Sequence, residues 1–382
     1  MKISVIHSYY TDLDRSGENN VVDAQISVLT EMGHDVMVFS NSTVEEQKRK
    51  FFHLRSAANV IFGSGNNPER NLDKFKPDAI LMHNLFPNLS TRWLEKYGHI
   101  TYSFKHNYRD ICASAILYRD NSICLKCIEG SSFNAIKYKC YKNSPLKSTP
   151  LAIRNSLNLK FRRDLIYPNK FLVLSDHMKR LLSASRIDKD KFVVIPNFVQ
   201  DSYRNFNFKL EKNNRWITAG RLTEEKGFQE LIEYWPDKYS LDIYGNGQLL
   251  QRLKKLVELK ENINIKGSLS RDDFVKILPT YTGAIMPSKW YEPGPLVVLE
   301  YLAAGLPVIS IGAWSEAAGL DLSFHVEMNA GKTICVSTRL EEKIDHIENN
   351  SIIFSNEQRK KYLEGFTPAK WYERFLNVLT VQ

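Results

Sequence analysis

The 382-residue chain is long enough for two domains of ordinary size, and 43% hydrophobic with 25% charged residues describes a globular protein with a full core. No apolar run approaches the roughly 18 residues that span a bilayer, and the opening residues 1–7 read as a strand, not a signal peptide, so neither a membrane-spanning nor an exported chain is expected. The formal net charge of +9 is the departure from the ordinary and asks which anion it serves.

The first half alternates strands and helices. Strands are predicted at residues 2–8, 34–40, 78–83, 99–104, 170–175 and 192–195, with helices between them. That is the pattern of a parallel α/β sheet, whose ligands sit at the carboxyl ends of strands. After the first strand, Gly17 opens a helix that Gly33 ends. A glycine there can cradle a phosphate or a sugar, although a single glycine is more often only a turn. Asp12-Leu13-Asp14, just before it, has the form of a metal-chelating pair and reads as a solvated turn.

His106 follows the strand that ends at Phe104. A loop histidine usually has no task, but a position at a strand's carboxyl end favours a site. His83 ends another strand and is a second, weaker candidate. Four of the five cysteines crowd into one stretch: Cys112, Cys124, Cys127 and Cys140. A cytoplasmic chain should not rely on disulfides. Four thiolates with one C-x2-C pair can close a structural zinc site and pin a loop at about 107–147. Free buried thiols and a disulfide are the alternatives. Cys335 lies far away and reads as a buried strand residue.

Residues 131–163 hold Lys137, Lys139, Lys142, Lys147, Arg154, Lys160, Arg162 and Arg163, with no acidic residue. Phe133, Tyr138, Tyr141 and Phe161 are interleaved. The bland reading is a solvated basic face. No nucleic-acid recognition motif accompanies it, so nucleic acid is not expected as a partner. An anionic membrane surface or a lipid diphosphate suits it better, with aromatics at the wet–apolar boundary. Residues 200–214 are polar and unpatterned, as a linker should be.

The second half starts again with a strand at 216–219, then Gly220-Arg221-Leu222-Thr223-Glu224-Glu225-Lys226-Gly227. Two cations on a loop are ordinarily surface residues. Fixed beside a cleaving sugar–phosphate bond, they would stabilise the charge that develops on the diphosphate. Further strands are expected at 240–244, 262–266 and 283–286. Next comes Tyr291-Glu292-Pro293-Gly294-Pro295-Leu296-Val297-Val298-Leu299-Glu300. Pro295 suits the first position of a helix, and Gly305 with Pro307 stops it. The N–H groups of Leu296 and Val297 then point out of a helix N-terminus, which favours an anion. Eight helical steps from Glu292 to Glu300 would span about 12 Å. Two such carboxylates are by themselves often a surface and a helix-face glutamate. A strand near 334–336 and helices at 338–347 and 368–379 close the chain, the last with Trp371, Tyr372 and Phe375 on one face.

The string from Glu292 to Ile309 resembles the Glu-x7-Glu signature of the retaining glycosyltransferases of family 4. The stretch Gly220–Gly227 and the His106-Asn107-Tyr108-Arg109 string are similar to family motifs as well. The resemblance implies an α/β chain of two Rossmann-like domains facing across a cleft, the GT-B fold. Residues 1–200 would bind the acceptor, with the helix 368–382 packing back on them, and residues 201–367 would bind a UDP- or GDP-sugar. By the same resemblance, Arg221, Lys226, Leu296 and Val297 would hold the diphosphate. Glu292, with Gly294 and Pro295, would hold the sugar, and Glu300 the ribose. His106 and Glu292 would be catalytic, in a hexosyl transfer with retention that needs no metal or other cofactor. Gly17 would line a loop near donor or acceptor, although the family loop often has two glycines and this chain has one. A saccharide or lipid-linked acceptor in bacterial surface-polysaccharide assembly is implied, on the cytoplasmic face of the inner membrane. A nucleotide-sugar epimerase of the same architecture and a nucleic-acid-binding protein are the rivals. A dinucleotide oxidoreductase is disfavoured because no Gly-x-Gly-x-x-Gly follows the first strand.

Overall fold

The computed structural model describes residues 1–10, 17–185, 187–204, 212–311, 325–326 and 333–380. Asp12 and Asp14, and part of the polar stretch 200–214, lie outside the described residues. The chain divides into two compact units. Unit 1 comprises Met1–Arg119, Cys124–Pro196 and Tyr372–Gln382, and unit 2 comprises Asp120–Ile123 and Asn197–Trp371.

In unit 1 the strands are β1 (Lys2–Tyr9), β2 (Asp35–Ser42), β3 (Ala79–Met82) and β4 (Thr101–Lys105). β5 (Tyr118–Arg119) follows, β6 (Ser122–Ile123) falls in the short unit 2 segment Asp120–Ile123, and β7 (Lys170–Val173) and β8 (Phe192–Val194) return to unit 1. The main sheet runs β2-β1-β3-β4-β7-β8, parallel throughout. Ile3, Val5 and Ile6 of β1 and all four residues of β3 are buried, as expected of a parallel sheet covered on both faces. Strand order reverses between β1 and β3, and the crevice at such a reversal is where α/β sheets take ligands. Towards the C-terminus, the Phe375 ring packs on Tyr102 at 6.5 Å, and Tyr372 Oη meets His34 Nε2 at 2.8 Å.

Unit 2 repeats the plan. Its strands are β9 (Arg215–Ala219), β10 (Ser240–Tyr244), β11 (Ile263–Gly267), β12 (Gly283–Met286), β13 (Val308–Ile311) and β14 (His325–Val326). They form one parallel sheet in the order β11-β10-β9-β12-β13-β14. Trp216, Trp235, Leu231, Leu241, Ile285 and Ile309 belong to one buried cluster of its core. The reversal falls between β9 and β12. Those two strands lead into Gly220–Gly227 and into Pro287–Pro295.

Two sequence expectations are corrected here. Ile334, Cys335 and Val336 lie in the helix Thr333–Asn349, not in a strand. A short apolar run has no period of its own, and the amphipathic stretch after it continues back through these residues. Pro295 stands one place earlier than expected: it is the cap before the helix Leu296–Ala303, with φ −72° and ψ 113°. Phe52–Phe62 and Pro145–Ser156 are among the helices that fall between the predicted strands, for which the sequence set no bounds.

Candidate functional site

In unit 2 the two loops that leave β9 and β12 touch. Gly227 lies in the left-handed region (φ 72°), and a Cβ on it would stand 2.0 Å from the Pro287 carbonyl oxygen. Only glycine permits that approach. It sets Lys226 beside the segment Ser288–Glu292. The Lys226 ammonium is bonded to Glu292 Oε1. The same oxygen accepts from Ser288 Oγ at 2.7 Å and from Trp290 Nε1 at 2.8 Å. Glu292 is 4% exposed, so its charge is held by one cation and two neutral donors away from bulk water. Lys226 Nζ also lies 5.5 Å from the centroid of the Trp290 ring. Arg221 behaves differently. Its side chain is exposed, 3.6 Å from Glu225 Oε1.

Asn197 Nδ2 donates to the Gly294 carbonyl at 2.9 Å and steadies the turn before the helix. Val298 N–H is taken by the Pro295 carbonyl at 3.2 Å, and no backbone acceptor among the described residues takes Leu296 or Val297 N–H. Two donors therefore stand open at the end of the helix where its dipole is positive. Glu300 lies five residues into the helix. Its side chain is 16% exposed, with Arg271 Nε 3.5 Å away. Burial pushes its carboxyl up to about 7, against the pull of Arg271. One short helix thus carries open N–H donors at its start, a buried charged carboxylate just before it and a proton-holding carboxyl within it.

In unit 1 three imidazoles gather at the carboxyl ends of β1, β3 and β4. His83 Nδ1 and His106 Nε2 are 2.8 Å apart, so one donates and the other accepts. His83 stacks on Phe104 at 5.1 Å, and His7 meets His83 edge-on at 6.0 Å. His7 Nε2 is 3.0 Å from Asn19 Oδ1, on the helix Gly17–Glu31. Burial, with Lys105 beside it, lowers His106 to about 3. Burial, then His106 and His7, holds His83 well below its ordinary value, and burial lowers His7. All three are neutral at pH 7. His7 was missed from sequence, although a histidine and two serines inside a buried strand were a signal. Gly17 begins its helix next to residues outside the description.

The basic stretch 131–163 is sorted by the fold. Lys137, Lys139, Lys142, Lys147 and Lys160 are exposed, together with Phe133, Leu146 and Phe161. Arg154 and Arg162 are not on that face. Arg162 grips Asp164 through Nε and Nη2, both at 3.0 Å, and Arg154 Nη2 reaches Asp164 at 2.6 Å. Both arginines also reach Asp110 Oδ1, at 3.0 and 3.1 Å, and Lys105 Nζ takes Asp110 Oδ2 at 2.8 Å. Asp164 lies one residue beyond the acid-free window, so the stretch looked uncompensated when read alone. This network and the His83–His106 pair line one cavity of about 100 Å³ in unit 1.

The four clustered cysteines are free thiols. Burial, then Cys112, Cys140 and Cys124, pushes the Cys127 thiol up to about 11, so the four are near neighbours. Among the described residues no three cysteine, histidine or acidic side chains are arranged to hold a metal ion.

Residues 199–315 match the family described as Glycosyl transferases group 1. Over 153 residues the chain is 29% identical to the amylovoran biosynthesis glycosyltransferase AmsD of Erwinia amylovora, covering 37% of this chain and 42% of that protein. The chain spans half or less of the length of the curated relatives it matches. Among solved structures it is similar to WaaG, a glycosyltransferase involved in lipopolysaccharide biosynthesis, with a TM-score of 0.64 and 13% identity over 100% of both chains. It is also similar to Anabaena HepE in complex with UDP-glucose, with a TM-score of 0.59 and 13% identity, again over 100% of both. The fold is therefore GT-B, with two Rossmann-like domains.

Proposed function

We propose that the chain is a glycosyltransferase that moves a hexosyl group from a nucleotide-diphosphate sugar to a saccharide in surface-polysaccharide assembly. The observation that carries this is the helix Leu296–Ala303, with open N–H donors at its start, Glu292 before it and Glu300 within it. Such an end receives a diphosphate, and carboxylates on either side accept hydroxyls of the sugar and the ribose. The likeness of residues 199–315 to the glycosyltransferase family and the UDP-glucose bound by HepE support a UDP-sugar donor.

In this reading Lys226 serves two anions. It orients Glu292 while the site is empty and shares its charge with the diphosphate when donor binds. Arg221, exposed and weakly held, swings to the phosphates. Glu292, fixed by Ser288 and Trp290, accepts from donor-sugar hydroxyls, Gly294 and Pro295 shape the turn beneath it, and Glu300 accepts from the ribose. His106 acts as a neutral imidazole: with Nε2 engaged by His83, it has Nδ1 left for the transferred sugar. Transfer with retention has the acceptor hydroxyl attack the face the nucleotide leaves, its proton passing to the departing phosphate oxygen. No residue need change charge in that step, in keeping with neutral histidines.

The acceptor is read as lipid-linked and the chain as peripheral on an anionic, cytoplasmic membrane face, because exposed lysines and exposed Phe133, Leu146 and Phe161 share residues 131–163. Among the described residues no helix is long and apolar enough to cross a membrane. A zinc ion on Cys112, Cys124, Cys127 and Cys140 would need the thiols to close further, and no step here depends on it. The test is calorimetric titration with UDP, GDP and their sugars. Binding of one nucleotide, and its loss in Lys226→Met, supports the reading; indifference to every nucleotide overturns it.

A further inference from the structure

Arg109 is a half-buried cation that the network beside it leaves out. Its guanidinium carbon lies 4.4 Å from the centroid of the Phe86 ring and 5.8 Å from that of Tyr141. Nη1 donates to the Ala113 carbonyl at 3.3 Å. Among the described residues no carboxylate makes a direct ion pair with it, although Glu18 in the same lining favours its charge from further off. Burial works against its charge. A guanidinium stays ionised even so, and one without a direct carboxylate partner keeps N–H donors available for an anion.

The cavity it lines shows what is missing. Lys105, Arg109, Arg154 and Arg162 face it, against Asp110, Asp164 and Glu18. Asp110 and Asp164 are already taken by Lys105, Arg154 and Arg162. Glu18 accepts from Tyr10 Oη at 3.0 Å and Asn107 Nδ2 at 3.3 Å. Four cations therefore face three carboxylates, which leaves the lining one positive charge in excess. Asn155 Nδ2, donating to the Arg109 carbonyl at 3.0 Å, and Asn107 Oδ1, accepting its N–H at 3.0 Å, hold the residue in place. The aromatic rings fix the plane of the fork, so little side-chain freedom is lost when it binds.

We propose that this cavity in unit 1 is an oxyanion pocket, in which Arg109 takes a phosphate or carboxylate carried by a saccharide. The fork of a guanidinium matches either group with two parallel hydrogen bonds. The neutral His106 in the same lining donates or accepts toward the sugar hydroxyls. The inference rests on the transferase reading only in naming that saccharide the acceptor.

The test titrates the full-length chain with glucose 1-phosphate, glucuronate and glucose, with and without saturating UDP. UDP fills any phosphate subsite belonging to the donor. The expected result is binding of one or both anionic sugars in the presence of UDP, at least tenfold tighter than glucose. Arg109→Gln should weaken it tenfold or more while leaving UDP binding and the melting temperature in place. Whichever anionic sugar binds tells phosphate from carboxylate. Equal binding of glucose, or unchanged binding by Arg109→Gln, overturns the pocket. Should Arg109→Gln fail to fold, the native chain decides: the Arg109 Nε–H resonance shifts on adding the anionic sugar, or stays put and sinks the idea. A chain that binds an anionic sugar but no nucleotide keeps the pocket and loses the transferase. One that binds UDP but neither anion loses the pocket alone.

Discussion

Lys226 and Glu292, 66 residues apart in sequence, are joined by a direct ion pair in unit 2. The pair is shielded: the side chains are 16% and 5% exposed. In the proposed reading, the cation for the diphosphate and the carboxylate for the sugar neutralise each other until donor arrives. The pair then leaves no bare buried charge, and on that reading donor binding divides the lysine's hydrogen bonds between two anions.

Breaking that pair from one side should cost more than removing it whole. Lys226→Met leaves Glu292 buried with only Ser288 and Trp290, a loss of about 3 kcal/mol. The double variant Lys226→Met with Glu292→Gln should recover part of it, and Glu292→Gln alone should lower turnover about a hundredfold. Urea unfolding of the four chains of the cycle checks the first claim and initial rates the second. Additive losses would show that the pair is not coupled.

Glu300 makes stability fall as pH rises. Its carboxyl is raised from 4.5 to about 7, so between those values the folded chain binds a proton that the unfolded chain has released. The stabilisation is full below about pH 4.5 and lost through 7, up to roughly 3 kcal/mol for a shift of this size. Glu300→Gln should flatten that slope in melts across pH 5–8. If Glu300 holds the ribose as proposed, its charged form is the stronger acceptor for the hydroxyls. Nucleotide affinity should therefore rise over the same window in the native chain and not in Glu300→Gln.

His106 should be invisible in the pH dependence of the rate. Held down at about 3, it is neutral throughout the working range. In Glu300→Gln, which removes the group that titrates near 7, profiles of kcat/KM should show no ionisation near 6.5, and His106→Ala should lower kcat while the nucleotide dissociation constant stays within twofold. An imidazole resonance that titrates near 6.5 and belongs to His106 would contradict this.

Acid should open unit 1 through Asp110 and Asp164. Burial alone would raise both, but Lys105, Arg154 and Arg162 hold Asp110 well below the usual range, and Arg162 and Arg154 do the same for Asp164. Their contribution is present above the unfolded value near 4 and is lost as pH falls below it. Asp164→Asn leaves two arginines short of a counter-charge and should cost about 3–5 kcal/mol at pH 7. Its acid transition should be shallower than that of the native chain. Circular dichroism during acid titration reads both.

Lys139, Lys142 and Lys147 are exposed, so exchanging them for glutamate should leave the melting temperature within about 2 °C, as surface changes do. The same triple variant should abolish sedimentation with phosphatidylserine vesicles, each lysine being worth about 1 kcal/mol at such a surface. Retained binding, or native binding that ignores salt, would remove the membrane from the reading.

The sequence by itself determined much of what is local. Alternating apolar strands and capped helices specified two parallel α/β sheets, because period and punctuation act over a few residues. The Pro-Gly-Pro turn specified a helix with open donors and a carboxylate on either side of its start. What came from far along the chain was decided only by tertiary structure. Gly227 meeting the Pro287 carbonyl is what joins Lys226 to Glu292. Three strands ending side by side are what neutralise His7, His83 and His106. Asp110 and Asp164 drew Arg154 and Arg162 out of an apparent surface patch into a shielded network and left Arg109 outside it. Charge pairing and desolvation depend on distance in space, and a string of residues records only distance along the chain.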